Sequence, residues 1–198
     1  QQSKRLFPLV TAGGVVGQIL GSFGTPWFAR TLRLDNLLLA YLAITIAGVL
    51  EAVGSDFLNA RVGAGLLSGE EVICFGLTEP DFGSNPGGML TRAVEDGDSY
   101  VLNGAKMWLT NGGSSTLVAV LVLTPGEVAD GVSVYKKMTT FLIEKPSGFG
   151  EVRSGLTIPG KIEKMGYKGV DTTELVMDNV PIAPDQILGE QPGRGFYQ

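Results

Sequence analysis

Two short stretches hold the residue types from which a ligand site could be built. Leu77-Thr78-Glu79-Pro80-Asp81-Phe82-Gly83-Ser84-Asn85-Pro86-Gly87-Gly88-Met89 packs three glycines, two prolines and two hydroxyl side chains into thirteen residues. A loop of that kind leaves backbone N–H groups free to face an anion or a ring edge, and Thr78 and Ser84 add hydroxyls that donate or accept. The second stretch is Gly104-Ala105-Lys106-Met107-Trp108-Leu109-Thr110-Asn111-Gly112-Gly113. Trp108 and Thr110 stand two apart on a predicted strand, so their side chains share a face. One apolar wall beside one hydroxyl suits a flat heterocycle. Taken singly, each stretch also reads as ordinary structure: a Gly/Pro surface loop, and a core Trp beside a turn. Neither GxGxxG nor the P-loop pattern occurs, which removes the Rossmann and Walker-type phosphate cradles.

Composition narrows the chemistry further. The 198 residues contain no histidine and one cysteine, Cys74. Ser–His–Asp and Cys–His catalysis are therefore excluded within these residues, as is a Cys/His zinc site, and no metal is expected. A single cysteine makes no internal disulfide, so the chain reads as intracellular. Fifteen basic against twenty acidic groups give a net charge of −5, and no Lys/Arg cluster stands out. No nucleic-acid partner is expected from such a surface. Charged residues make up only 18% while glycine reaches 29 of 198. That combination points to tight turns or to backbone lying close to a ligand. The chain opens on Gln1 with no leader of secretory type and stops at Gln198 without a cap, so it reads as part of something longer.

The elements that must position the two stretches change character near residue 70. Residues 1–70 carry five basic and four acidic groups, and residues 71–198 carry ten and sixteen. In the first part, Leu37–Leu50 runs fourteen residues without a charge. A membrane-spanning helix needs about 20, so this reads as a buried helix after the Asp35-Asn36 cap. Asp56–Leu67 is a second predicted helix, and residues 1–34 give no clean periodicity. Beyond residue 70 the pattern predicts short strands: Glu71–Leu77, Ser99–Leu102, Lys106–Leu109, Leu117–Leu123, Thr139–Ile143, Ile162–Met165 and Glu174–Met177. Asp96-Gly97-Asp98 reads as a turn and Asn103-Gly104 as a hairpin. Pro146-Ser147-Gly148 and Pro181-Ile182-Ala183-Pro184 read as loops. Short strands with Gly/Pro punctuation imply a small antiparallel barrel or sandwich.

Three stretches in order resemble the middle domain of the acyl-CoA dehydrogenases, which are FAD-binding flavoproteins. LTEPDFGSN (77–85) is similar to the family's TEPxxGSD loop, with Asn85 where the family usually has Asp. KMWLTNGG (106–113) is similar to its KxWITN strand. Lys164–Pro181, followed by Ile187-Leu188-Gly189, is similar to its KMG…DT…VP…LG segment. The resemblance covers about residues 66–198 and is loose before that.

The resemblance implies an α+β chain: an N-terminal helical segment (1–70) and an antiparallel β-barrel-like middle domain (71–198). It implies FAD as cofactor, with Phe75, Leu77, Thr78, Gly83, Ser84, Trp108, Leu109 and Thr110 around it. Thr78 would bond the isoalloxazine edge, Trp108 would cover the flavin face away from substrate, and Thr110 would stand near the reactive nitrogen. Ser84 would also lie near the pantetheine of an acyl-CoA substrate. The implied reaction is α,β-desaturation of an acyl thioester, in which a carboxylate removes the α-proton. In most of the family that glutamate belongs to a C-terminal helical bundle, so no catalytic residue is named in 1–198. The same resemblance implies electron-transfer flavoprotein as electron acceptor, a homo- or hetero-oligomer, commonly a tetramer, and a cytoplasmic or mitochondrial-matrix setting, with the cytoplasm preferred. The alternative is a non-catalytic flavin-binding or structural subunit of a heteromeric assembly. A helical bundle with a suitably placed glutamate after residue 198 distinguishes the two.

Overall fold

A computed structural model describes residues 59–124 and 133–197. The predicted helix Leu37–Leu50 and residues 1–34 lie outside the described residues. Of the predicted helix Asp56–Leu67, the described part is helical: a wide turn over Asn59–Gly63 leads into α1, Ala64–Ser68. Gly69, left-handed at φ 80°, ends it.

Among the described residues eight strands follow: β1 (Ile73–Gly76), β2 (Arg92–Asp96), β3 (Ser99–Thr110), β4 (Leu117–Leu123), β5 (Met138–Glu144), β6 (Gly150–Arg153), β7 (Leu156–Ile158) and β8 (Thr172–Ile182). They form one sheet in the order β1-β4-β2-β3-β8-β7-β6, with β5 also paired to β4. The sheet curls into a half-barrel of the kind expected. Most pairings are antiparallel, but β1 and β2 each run parallel to β4, β2 touching it only at Arg92↔Leu123. The core lies inside the curl, where Leu102, Val120, Phe141, Ile143, Leu156, Ile158 and Leu175 are fully buried. Burying each such side chain contributes about 1.5–3 kcal/mol. Leu117–Leu123 is apolar throughout because β4 is covered on both faces, the pattern of a central strand.

Four local expectations fail. Asn103-Gly104 is not a hairpin, and Lys106–Leu109 is not a returning strand. Both belong to the single twelve-residue β3. The reversal sits earlier, at Gly97 (φ 61°), where β2 turns into β3. At Asn103 the β3–β8 register slips, and Asn103 and Asn179 exchange bonds: Asn179 N donates to Asn103 Oδ1 at 2.8 Å, and Asn103 Nδ2 to Asn179 Oδ1 at 3.2 Å. Gly104 is required there by crowding: a Cβ would stand 2.7 Å from the Thr91 Cα. The turn-type dipeptide therefore marks a bulge. Ile162–Met165 is not a strand either, since only an isolated bridge, Lys161↔Thr173, joins this segment to β8. Pro181-Ile182 ends β8 rather than opening a loop, which starts at Ala183.

Candidate functional site

The loop after β1 is held from beneath by a buried ion pair. Lys106, fully buried on β3, donates from Nζ to Glu79 Oε1 at 2.9 Å and to the Leu77 carbonyl at 3.1 Å. Glu79 is 4% exposed and also accepts from Leu90 N at 2.7 Å and Thr91 N at 2.9 Å. Burial pushes the Glu79 carboxyl up, but these donors outweigh it and hold the group below its ordinary value. Burial draws the Lys106 ammonium down, opposed by the same carboxylate. With three N–H donors around it Glu79 is an anion, and Lys106 is its cation. Two further bonds close the loop on itself, Glu79 N to Phe82 O and Phe82 N to Glu79 O. Gly88 lets the Phe82 ring pack close against the backbone, where a Cβ would stand 2.4 Å from the ring.

The loop and the second stretch meet directly. The Met107 N–H donates to the Thr78 carbonyl at 2.8 Å. Gly76, at the end of β1, lies against the Lys106 and Leu109 side chains. Between Lys106 and Leu109 the β3–β8 register slips again, and Trp108 adopts a left-handed backbone, φ 65°. That conformation is uncommon for a bulky residue, and the fold around it must hold it there. The bulge leaves Leu109 in the core while Trp108 (53% exposed) and Thr110 face outward on either side of it. Phe75, 54% exposed, stands outward on β1.

Thr78 is half-buried, with the backbone of Gly83 near its methyl group, while Gly83 and Ser84 are exposed. Leu77 is half-buried against Met89, Leu121 and Met138. Among the described residues, no partner accepts from or donates to the hydroxyls of Thr78 and Thr110. The same holds for the Gly83 and Ser84 N–H groups. Leu109 differs from the other predicted contacts: its side chain is spent on the core, so only its backbone is left to meet a ligand. Asn85 makes no side-chain cap; its carbonyl accepts from Gly88 N at 3.1 Å instead.

The third stretch returns to the end of β3. Asn111 N donates to Asp171 O at 2.9 Å, and Ser114 donates to the Asp171 carboxylate from N and Oγ. Lys164 Nζ reaches Thr172 Oγ1 and the Val170 carbonyl, both at 2.8 Å. The bracing roles of Glu79 and Lys106 were missed from sequence. The available signal was a Lys on β3, preceding an exposed Trp, together with an acid in the adjoining loop.

Residues 74–180 match the family model described as acyl-CoA dehydrogenase, middle domain. The chain belongs to the acyl-CoA dehydrogenase family. A probable acyl-CoA dehydrogenase, FadE25 of Mycobacterium tuberculosis, is 40% identical over 144 residues, 72% of this chain and 34% of that protein. The butyryl-CoA dehydrogenase structure from Megasphaera elsdenii matches with a TM-score of 0.64 and 30% identity, covering 76% of this chain and 37% of the other. A glutaryl-CoA dehydrogenase from Mycobacterium smegmatis, in complex with FADH2, matches at 0.59 and 35% identity over 74% of this chain and 34% of the other. The chain thus spans about a third of the length of the family members it matches. No helix among the described residues is long and apolar enough to cross a membrane.

Proposed function

We propose that this chain supplies the flavin-binding part of an FAD-dependent acyl-CoA dehydrogenase, with 71–198 as its middle domain and 1–70 as part of a helical domain. The observation that carries the reading is a set of polar groups that meet no protein partner among the described residues. The Thr78 hydroxyl, the Thr110 hydroxyl and the Gly83 and Ser84 N–H groups accompany a half-exposed Trp108 on a loop and strand tied together by one backbone bond. Donors for a polar ring edge and a flat apolar wall suit an isoalloxazine and its pyrophosphate. When bound, FAD supplies the hydride acceptor for desaturation of an acyl thioester.

This chain's own residues bind and orient. Trp108 would cover one ring face, Thr78 and Thr110 would donate to the ring edge, and Phe75, Leu77 and Leu109 would line it by side chain or backbone. Gly83 and Ser84 would offer N–H groups to phosphate oxygens, and the family resemblance puts the Ser84 hydroxyl near the pantetheine of acyl-CoA. Glu79 is committed to Leu90, Thr91 and Lys106, so it is not free to take the substrate's α-proton. The base belongs outside these residues. The family resemblance further supports an oligomeric enzyme of the cytoplasm that passes electrons to electron-transfer flavoprotein.

The test is direct. Full-length protein purified with FAD should lose its visible flavin absorption on anaerobic addition of butyryl-CoA or a longer acyl-CoA. Protein that binds no FAD, or whose flavin resists every acyl-CoA of a chain-length series, would overturn the reading.

A further inference from the structure

We infer that the buried Glu79–Lys106 pair is a positioning device that aims and strengthens the Thr78 N–H as a hydrogen-bond donor toward a bound ring. The inference rests on the flavin reading above. It starts from one peptide unit: Leu77 C=O and Thr78 N–H belong to the same trans amide, whose two polar bonds point in opposite directions. Lys106, itself fully buried, takes the carbonyl, 3.1 Å from its ammonium. The Thr78 N–H is thereby turned away from the core, and among the described residues no acceptor meets it.

The flanking bonds fix the same amide from both sides. Downstream, the Thr78 carbonyl is held by Met107 N, one residue before Trp108. Glu79 in turn holds Lys106 in place while gripping the Leu90 and Thr91 amides. A cation on a carbonyl also polarises its amide, which makes the attached N–H a stronger donor. The natural recipient is the acceptor edge of a planar heterocycle lying beside Trp108. Lys106 and Glu79 touch no ligand in this arrangement; they act through Thr78.

A purely structural pair makes a different prediction. Replacing a buried ion pair by neutral groups of similar size commonly leaves stability unchanged, whereas removing one partner does not. The informative protein is therefore full-length Lys106→Met, Glu79→Gln. Its thermal midpoint without FAD should return close to that of the unmodified protein, while each single substitution lowers it. Its FAD dissociation constant should nevertheless stay about five- to tenfold weaker, and its flavin absorption maxima should shift, because the charged donor behind the Thr78 amide is gone. A double variant with unmodified FAD affinity and spectrum would overturn the inference while leaving the flavin reading intact. If the unmodified protein binds no FAD, the flavin reading fails and this inference with it. A measurement free of substitutions guards against a variant that does not fold. In the unmodified protein, hydrogen exchange at the Thr78 amide should slow by about tenfold or more when FAD is added. Exchange unchanged by FAD would overturn the inference regardless of the variants.

Discussion

The Met107 N–H donates to the Thr78 carbonyl at 2.8 Å, a backbone bond that, beside the Lys106 contacts, joins the loop after β1 to the strand that carries Trp108. Neither partner's side chain is needed for it, so substitution cannot remove it cleanly. Its consequence is a fixed height of the Thr78 backbone against the bulge in β3. Groups contributed by distant parts of the chain thus act as one surface.

The bulge gives the first prediction. Trp108 sits at φ 65°, a conformation that glycine adopts without strain. Trp108→Gly relieves that strain and removes a side chain already half in solvent. Stability of the protein without FAD should hold within about 1 kcal/mol, measured by urea unfolding. FAD affinity should fall by about 1–3 kcal/mol as one ring face loses its cover. A large loss of stability with unchanged FAD affinity would assign Trp108 to the core instead.

Acid stability follows from Glu79. Its carboxyl is held below the ordinary range in the fold, so the native state binds fewer protons than the unfolded chain. The stabilisation is fully present above the unfolded value of about 4.3 and is lost as pH falls through the lower folded value. Glu79→Gln leaves the Lys106 ammonium uncompensated and should cost about 3–5 kcal/mol at pH 7. The gap between the two proteins should narrow steadily below about pH 4, read by thermal melts across pH. A gap independent of pH would mean that Glu79 is not ionised in the native state.

Gly104 tests the corrected strand. A Cβ there would stand 2.7 Å from backbone Cα of Thr91, at φ 139°. Gly104→Ala should destabilise by about 2–4 kcal/mol, since backbone cannot step aside as a flexible side chain can. Gly97→Asn, at a turn with nothing near and φ 61°, should change stability by less than about 1 kcal/mol. Comparable losses at the two glycines would contradict the assignment of Asn103-Gly104 to a bulge.

Gly104 also shows where sequence reading stops. The dipeptide Asn-Gly signals a left-handed residue, and a left-handed residue serves a hairpin or a bulge equally well. Only the approach of Thr91, supplied by β2, decides between them. Ile162–Met165 has strand-like residues but lacks a neighbour: Met165 is fully exposed, and β8 pairs with β3 and β7 instead. β4 and β5 were legible because unbroken runs of apolar and β-branched residues leave little alternative. That 77–89 is a loop after a strand, and that Trp108 and Thr110 both face outward, was legible from local residue types. The Glu79–Lys106 pair was not, because its partners are joined through the fold rather than along the chain.

The last prediction separates flavin binding from proton removal. Thr78 and Thr110 carry hydroxyls without protein partners among the described residues, on either side of the Trp108 bulge. Thr78→Val with Thr110→Val keeps the shape of both side chains and deletes only those hydroxyls. Losing a buried hydroxyl that pairs with a ligand costs about 1–3 kcal/mol, so flavin reduction by acyl-CoA in the full-length protein should slow by about tenfold or more. Exchange of the substrate's α-hydrogen with solvent needs only the base, which the proposed reading puts outside residues 1–198. That exchange should persist in the double variant when followed by NMR in deuterated buffer. Substituting the carboxylates of 71–198 one at a time, Glu79 included, should leave it running wherever flavin content is retained. Loss of exchange in any one of them, with flavin still bound, would bring the base into this chain.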